Sequence, residues 1–253
     1  MSNIRVFALT GSLLLALGCG GSGGGGGSVT PPLPVGPQNP AGIYAGTIQS
    51  VAATVIVLDS GEFSWATNNG LLATGNLVVS GGSFTGTGTL WAPNGTYFTG
   101  VGFTAPVTIT NGTVVTASTM SASYTSPVGN GSFHFTYNPV FTRQVTLTTL
   151  AGNYNYMQDG YGYPVSISIL SDGTFTGRWY VTPDSRAFSG TITQPNPSQN
   201  AFRVQLNMPG VGPYPIPSNY SGLGFLTDGT SMNSDLTILL TDSGNQWALR
   251  FKR

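Results

Sequence analysis

Residues 165–179 read VSISILSDGTFTGRW, and this pattern constrains the fold more tightly than any other feature of the chain. Val165, Ile167 and Ile169 fall on one side of an extended strand, and Ser166 and Ser168 fall on the other. Asp172-Gly173 then offers the positive φ of a tight hairpin, and Phe175 resumes the apolar side. The same alternation, broken by turn residues, recurs in ATVIVLDSGEFSW (53–65), GSFTGTGTL (82–90) and NSDLTILLTDSGNQWALRF (233–251). Asp59-Ser60-Gly61, Asp228-Gly229 and Asp242-Ser243-Gly244 read as the same turn device, some with one residue more. After residue 19 no helical period appears, so the chain is all-β and antiparallel.

The pattern occurs twice. AGIY (41–44) leading to VLDSGEFSW (57–65) is answered by AGNY (151–154) leading to ILSDGTFTGRW (169–179), an offset of about 110 residues. Thr74-Gly75 corresponds to Ser189-Gly190, and TGVGF (99–103) to SGLGF (221–225). Two homologous domains follow, 41–148 and 149–253, each with about eight short strands. A chain with so few charges cannot protect open sheet edges, which favours a closed up-and-down barrel for each repeat; a two-sheet sandwich is the alternative. Such domains loosely resemble calycin-like barrels and the barrel modules of bacterial surface lipoproteins. The second repeat is expected to fold alone.

Only 6% of residues are charged, against about a quarter in ordinary domains, and 8 basic side chains cancel 8 acidic ones. Phosphate binding needs clustered Lys and Arg, so nucleic acid is excluded as a partner; the single Lys252 sits between Arg250 and Arg253 at the solvated C-terminus. Alternation also suits a membrane-spanning barrel, but the anchor described next makes that redundant, and the chain ends RFKR where outer-membrane barrels end on an aromatic.

The one cysteine, Cys19, has no partner for a disulfide, and with one histidine, His134, there is no Cys/His zinc site. Ahead of it stand Arg5 and an apolar run, Val6 to Leu17, too short to span about 30 Å of hydrocarbon. Gly18 then precedes the cysteine. This junction resembles the lipobox of bacterial lipoproteins. The resemblance implies a signal peptide over 1–18, a diacylglyceryl group on the Cys19 sulfur, and acyl chains that hold the protein on a membrane. Gly20 is not the Asp that resembles an inner-membrane retention signal in enteric bacteria, so the implied destination is the cell envelope, and the outer membrane in a Gram-negative host. Residues 19–40 form the linker: Gly20 to Ser28 is a random coil of about 15–18 Å, and the proline-rich 29–40 adds up to about 35 Å as polyproline II.

Chemistry is sparse. His134 alternates with Phe133 and Phe135 and is expected to face solvent as an ordinary strand residue. Asp59 and Glu62 have the spacing of a glycosidase pair, but the second repeat keeps Asp172 and has Thr174 in place of the glutamate; the aspartate is read as serving its turn and the glutamate as surface decoration. The triplets at Asn94, Asn111, Asn130 and Asn219 are read as turns. No catalytic residue, metal ligand or cofactor is assigned. The candidate binding residues are tyrosines. In NYNYMQDGYGYP (153–164) a turn at Asp159-Gly160 sets Gln158 opposite Tyr161 and Tyr156 opposite Tyr163, so that Tyr154, Tyr156, Tyr161 and Tyr163 share one face. MPGVGPYPIPSNY (208–220), with Tyr214, is read as a long loop and lid over a barrel mouth. The expected function is a lipid-anchored envelope protein that binds a glycan, peptide or small apolar ligand without catalysis. The competing classes are a structural or adhesive surface protein with no pocket, and a hydrolase with dispersed residues.

Overall fold

A computed structural model describes residues 38–157, 164–181, 184–210 and 218–253. The first repeat contributes β1 (Gly42–Ile48), β2 (Val51–Val57), β3 (Glu62–Thr67), β4 (Leu72–Ser80), β5 (Ser83–Trp91), β6 (Thr104–Val115), β7 (Thr119–Thr125) and β8 (Gly131–Asn138). The second contributes β9 (Gly152–Met157), β10 (Pro164–Ile169), β11 (Thr174–Val181), β12 (Asp184–Thr193), β13 (Phe202–Met208), β14 (Ser218–Thr227), β15 (Asp235–Thr241) and β16 (Gln246–Lys252). Each set closes into an antiparallel up-and-down barrel, β8 returning to β1 and β16 to β9. A 3₁₀ turn, Pro139–Thr142, and the single helical turn α1 (Leu147–Leu150) join them.

The alternation has its expected consequence inside each barrel. Tyr44, Val55, Phe63, Trp65, Leu90 and Phe135 pack the first interior, and Ile167, Phe175, Phe188, Leu206, Ile238 and Phe251 the second. Hydroxyl and amide side chains cover most of the outside, the inverse of a membrane-spanning barrel, whose outer band is apolar.

The repeat is structural as well as sequential. In AGIY and AGNY the tyrosine hydroxyl donates to the carbonyl four residues earlier, Tyr44 to Pro40 at 2.9 Å and Tyr154 to Leu150 at 2.8 Å. Gly75 pairs with Phe63 and Gly190 with Phe175, and at both glycines a Cβ would collide with that phenylalanine ring and the neighbouring strand. TGVGF and SGLGF are not equivalent, because 99–103 lies in the connection between β5 and β6 while 221–225 lies within β14. Asp172-Gly173 supplies the positive φ of a tight hairpin, as expected. Gly173, at φ 85°, ends a three-residue loop in which its N–H donates to Leu170 O, and Gly61, at φ 83°, does the same to Leu58 O. The connection at Asp228-Gly229 is longer, running from β14 to Asp235. Two asparagine triplets are not turns either: Asn111, at φ 53°, sits in a bulge of β6, and Asn219 lies on β14.

The two barrels form one compact unit. Between them lies a third apolar core drawn from outward-facing positions: Ile43, Ile56, Leu58, Leu72 and Trp91 from the first barrel, Leu223, Phe225 and Leu239 from the second, with Val140 and Phe141 of the linker. Polar contacts close both rims. At one, the Asp59 carboxylate accepts from Asn39, Asn196 and Gln199 (2.9–3.1 Å), and Arg203 pairs with Glu62 at 2.7 Å. At the other, Gln246 donates to Gly70 O and Ala92 O. The linker is tied down by Arg143, bidentate on Asp228, and by the fully buried Asn200, which bonds Val140 O, Leu226 O and Leu226 N–H. Asp59 and Glu62 are therefore neither turn cap nor decoration; they hold the second barrel. An isolated second repeat would expose Leu223, Phe225 and Leu239, which this shared core buries.

Two outcomes follow. Phe225→Ala, although it lies outside both barrel interiors, is expected to lower unfolding free energy by about 3–5 kcal/mol in denaturant titrations, as for a core phenylalanine. Acid should loosen the rim and linker contacts. Arg143 and the Asn233 N–H hold the Asp228 carboxyl down at about 2; at Asp59 burial pulls upward but the three amides outweigh it, leaving it below its usual value. A carboxyl depressed in the folded state stabilises above its unfolded pKa of about 3.9 and loses that contribution as pH falls through the folded value. The stability gap between wild type and Asp59→Asn/Asp228→Asn should thus be constant above about pH 5 and shrink towards pH 2.

Candidate functional site

The tyrosines do not assemble as the sequence suggests. Tyr154, on β9, is fully buried; its hydroxyl donates to Leu150 and accepts from Arg253 at 2.7 Å, with that guanidinium 4.8 Å over the ring. Burial raises its pKa against the opposing pull of Arg253. A closed barrel leaves this ring no face for a ligand, so Tyr154 is a core residue. Tyr156, half-buried, packs edge-on against Phe251 at 6.0 Å and pairs with Val165, not Tyr163. The register differs by two residues because the β9–β10 connection spans 158–163 instead of a two-residue turn. Tyr161, Tyr163 and Tyr214 lie outside the described residues. The 208–220 segment contains the end of β13 and the start of β14, where Tyr220 stacks on Trp247 at 5.1 Å inside the barrel; only 209–217 is connection.

The connections after β9, β11, β13 and β15 leave from one rim of the second barrel. Just inside it, Trp179, Trp247, Tyr220 and Phe188 pack together, with Arg186, 8% exposed, 6.0 Å over Trp179. Burial, reinforced by Asp242, pushes the Tyr220 hydroxyl up to about 12. Arg186 was readable from the sequence, since alternation from Phe188 places it inward.

The larger feature is outside. Two adjoining depressions of about 600 and 420 Å³ dish the outer face of β9–β13, sharing Ser168, Thr176 and Ser189. Strand register arranges the outward side chains in transverse rows. One row runs Asn153, Ser168, Thr176, Ser189, Asn207; the next runs Asn155, Ser166, Arg178, Ala187. Short serine side chains line the middle of the trough, with Asn153 and Asn207 at the two ends of the first row. Arg178 donates to Ser185 at 3.2 Å. Among the described residues no carboxylate lines the trough, and no side-chain hydrogen bond within the protein occupies Asn153, Asn155, Ser166, Ser168 or Ser189. Thr176 likewise presents its hydroxyl outward, being exposed. The sequence reading passed over these residues as the polar half of an alternation; only the pairing register shows that they align.

His134 is exposed, as expected, and bonds Ser121 at 2.9 Å. Among the described residues no three His, Cys, Asp or Glu side chains converge as a metal site would require. No family model, no curated protein and no solved structure matches the chain.

Tyr154→Phe separates packing from recognition. Loss of the hydroxyl is expected to cost about 2–4 kcal/mol of stability, the usual net value of one neutral hydrogen bond and one to a charged group, while leaving ligand binding unchanged, measured by denaturant titration and titration calorimetry.

Proposed function

We propose that the protein is a lipid-anchored envelope protein whose paired barrels form a non-catalytic binding module, with the ligand held in the trough on the outer face of β9–β13. The observation that carries this reading is the trough itself, an open depression that combines hydroxyl and amide side chains with apolar surface, on a molecule whose barrel interiors hold packed apolar cores. Asp59 and Glu62, the one carboxylate pair with glycosidase-like spacing, are engaged by the second barrel, which favours binding over hydrolysis.

Placement of the tether supports the same reading. Gln38 and Asn39 are fastened at the rim that carries the β4–β5 and β6–β7 turns, through Gly81 O and Thr116. Asp59 and Asn196 join this rim to the corresponding rim of the second barrel, so both barrels point the same way. An acyl anchor on Cys19 would draw this end towards the bilayer and turn the Pro209 end of the trough outward.

A structural or adhesive role is the second reading, favoured by one observation: no Asp, Glu, Lys or Arg occurs from Phe63 to Thr142, so most of the first barrel presents an uncharged, hydroxyl-rich surface.

Two measurements test the proposal. Cys19→Ser is expected to abolish incorporation of radiolabelled fatty acid and release the exported protein from membranes; equal labelling of both forms overturns the anchor. Glycan and peptide arrays probed with the released protein are expected to give hits that Ser189→Leu, which fills the trough floor, removes; hits that survive it place the site elsewhere.

A further inference from the structure

The trough has a period, and the period selects a ligand. Neighbouring strands stand about 4.8 Å apart, so the row Asn153, Ser168, Thr176, Ser189, Asn207 offers one hydrogen-bonding side chain per strand at that pitch. An extended peptide advances about 3.3 Å per residue and falls out of step with such a row within a few residues. A linear glycan advances by about the strand pitch for each sugar, and its ring hydroxyls suit short hydroxyl and amide partners that both donate and accept.

Charge narrows the class. Arg178 is the only charged residue among the described residues lining the trough, and it stands one row from Thr176. One guanidinium nitrogen bonds Ser185, leaving the other edge of the fork for a carboxylate or phosphate on the chain. Resting on the trough as the binding site, we propose that its ligand is the internal stretch of a linear acidic polysaccharide, one sugar per strand across β9–β13, with an acidic substituent on Arg178.

The test uses the full chain carrying Cys19→Ser and three probes: oligogalacturonates, phosphate-bearing teichoic acid fragments, and neutral cello-oligosaccharides, each in lengths of two to eight units. An acidic probe is expected to bind, with affinity rising with length up to about five units and then levelling, because five strands line the trough. Arg178→Gln should weaken the acidic probe about tenfold and flatten its salt dependence, leaving any neutral binding unchanged. Thr176→Val, which keeps shape and strand preference while deleting the hydroxyl, should weaken every bound probe without changing the melting temperature. The two acidic probes tell a carboxylate from a phosphate as the recognised group. Binding of the neutral probe alone, lost in Thr176→Val, overturns the acidic class and leaves the trough as the site. Acidic binding untouched by both substitutions overturns the trough itself. Failure of both acidic probes, or affinity that does not grow with length, overturns the proposal.

Discussion

The apolar seam between the barrels is the contact on which the rest of this structure depends. A barrel of eight strands normally has two kinds of surface, an apolar interior and a wet exterior. Here part of the exterior of β2, β4, β14 and β15 is apolar as well, and Ile56, Leu72, Leu223 and Leu239 are each 1% exposed or less. Neither barrel can leave those faces in water without a large exposed patch, so the second barrel completes the first. The polar contacts at the rims then fix orientation more than they add cohesion. Glu62 and Gln246 find their partners across the seam, and Asp59 and Asn200 each add partners there to those they have on their own side.

Scarcity of charge shapes the same design. Between Gln38 and Thr142 the only charged side chains are Asp59 and Glu62, and both reach the second barrel. Solubility and edge protection in the first barrel therefore rest on closure and on threonine and serine hydroxyls. The same economy makes Arg178 conspicuous in the second barrel, where a single guanidinium overlooks a neutral trough.

Much of the fold was legible because alternation is a strong signal for half-buried strands. Val165, Ile167 and Ile169 were placed inward and are inward, and the repeat of AGIY in AGNY marks the same tyrosine-to-carbonyl bond in both barrels. The seam left a trace that was not used. Val55-Ile56-Val57-Leu58 and Ile238-Leu239-Leu240 are continuous apolar runs, which strands show when both faces are buried. The site was less legible for a physical reason. Whether Asn153, Ser168, Thr176 and Ser189 line up depends on register across four strands, and register is set by connection lengths such as the six residues between β9 and β10, which the sequence alone suggested to be two. A tyrosine in an alternating strand also looks the same whether it packs a core, as Tyr154 does, or faces a ligand.

Differential scanning calorimetry of the full chain tests the shared core most directly. If the seam couples the barrels, they unfold together in one transition whose calorimetric and van't Hoff enthalpies agree. Two separable transitions, or a calorimetric enthalpy about twice the van't Hoff value, would show two independent barrels that merely touch and would contradict this account.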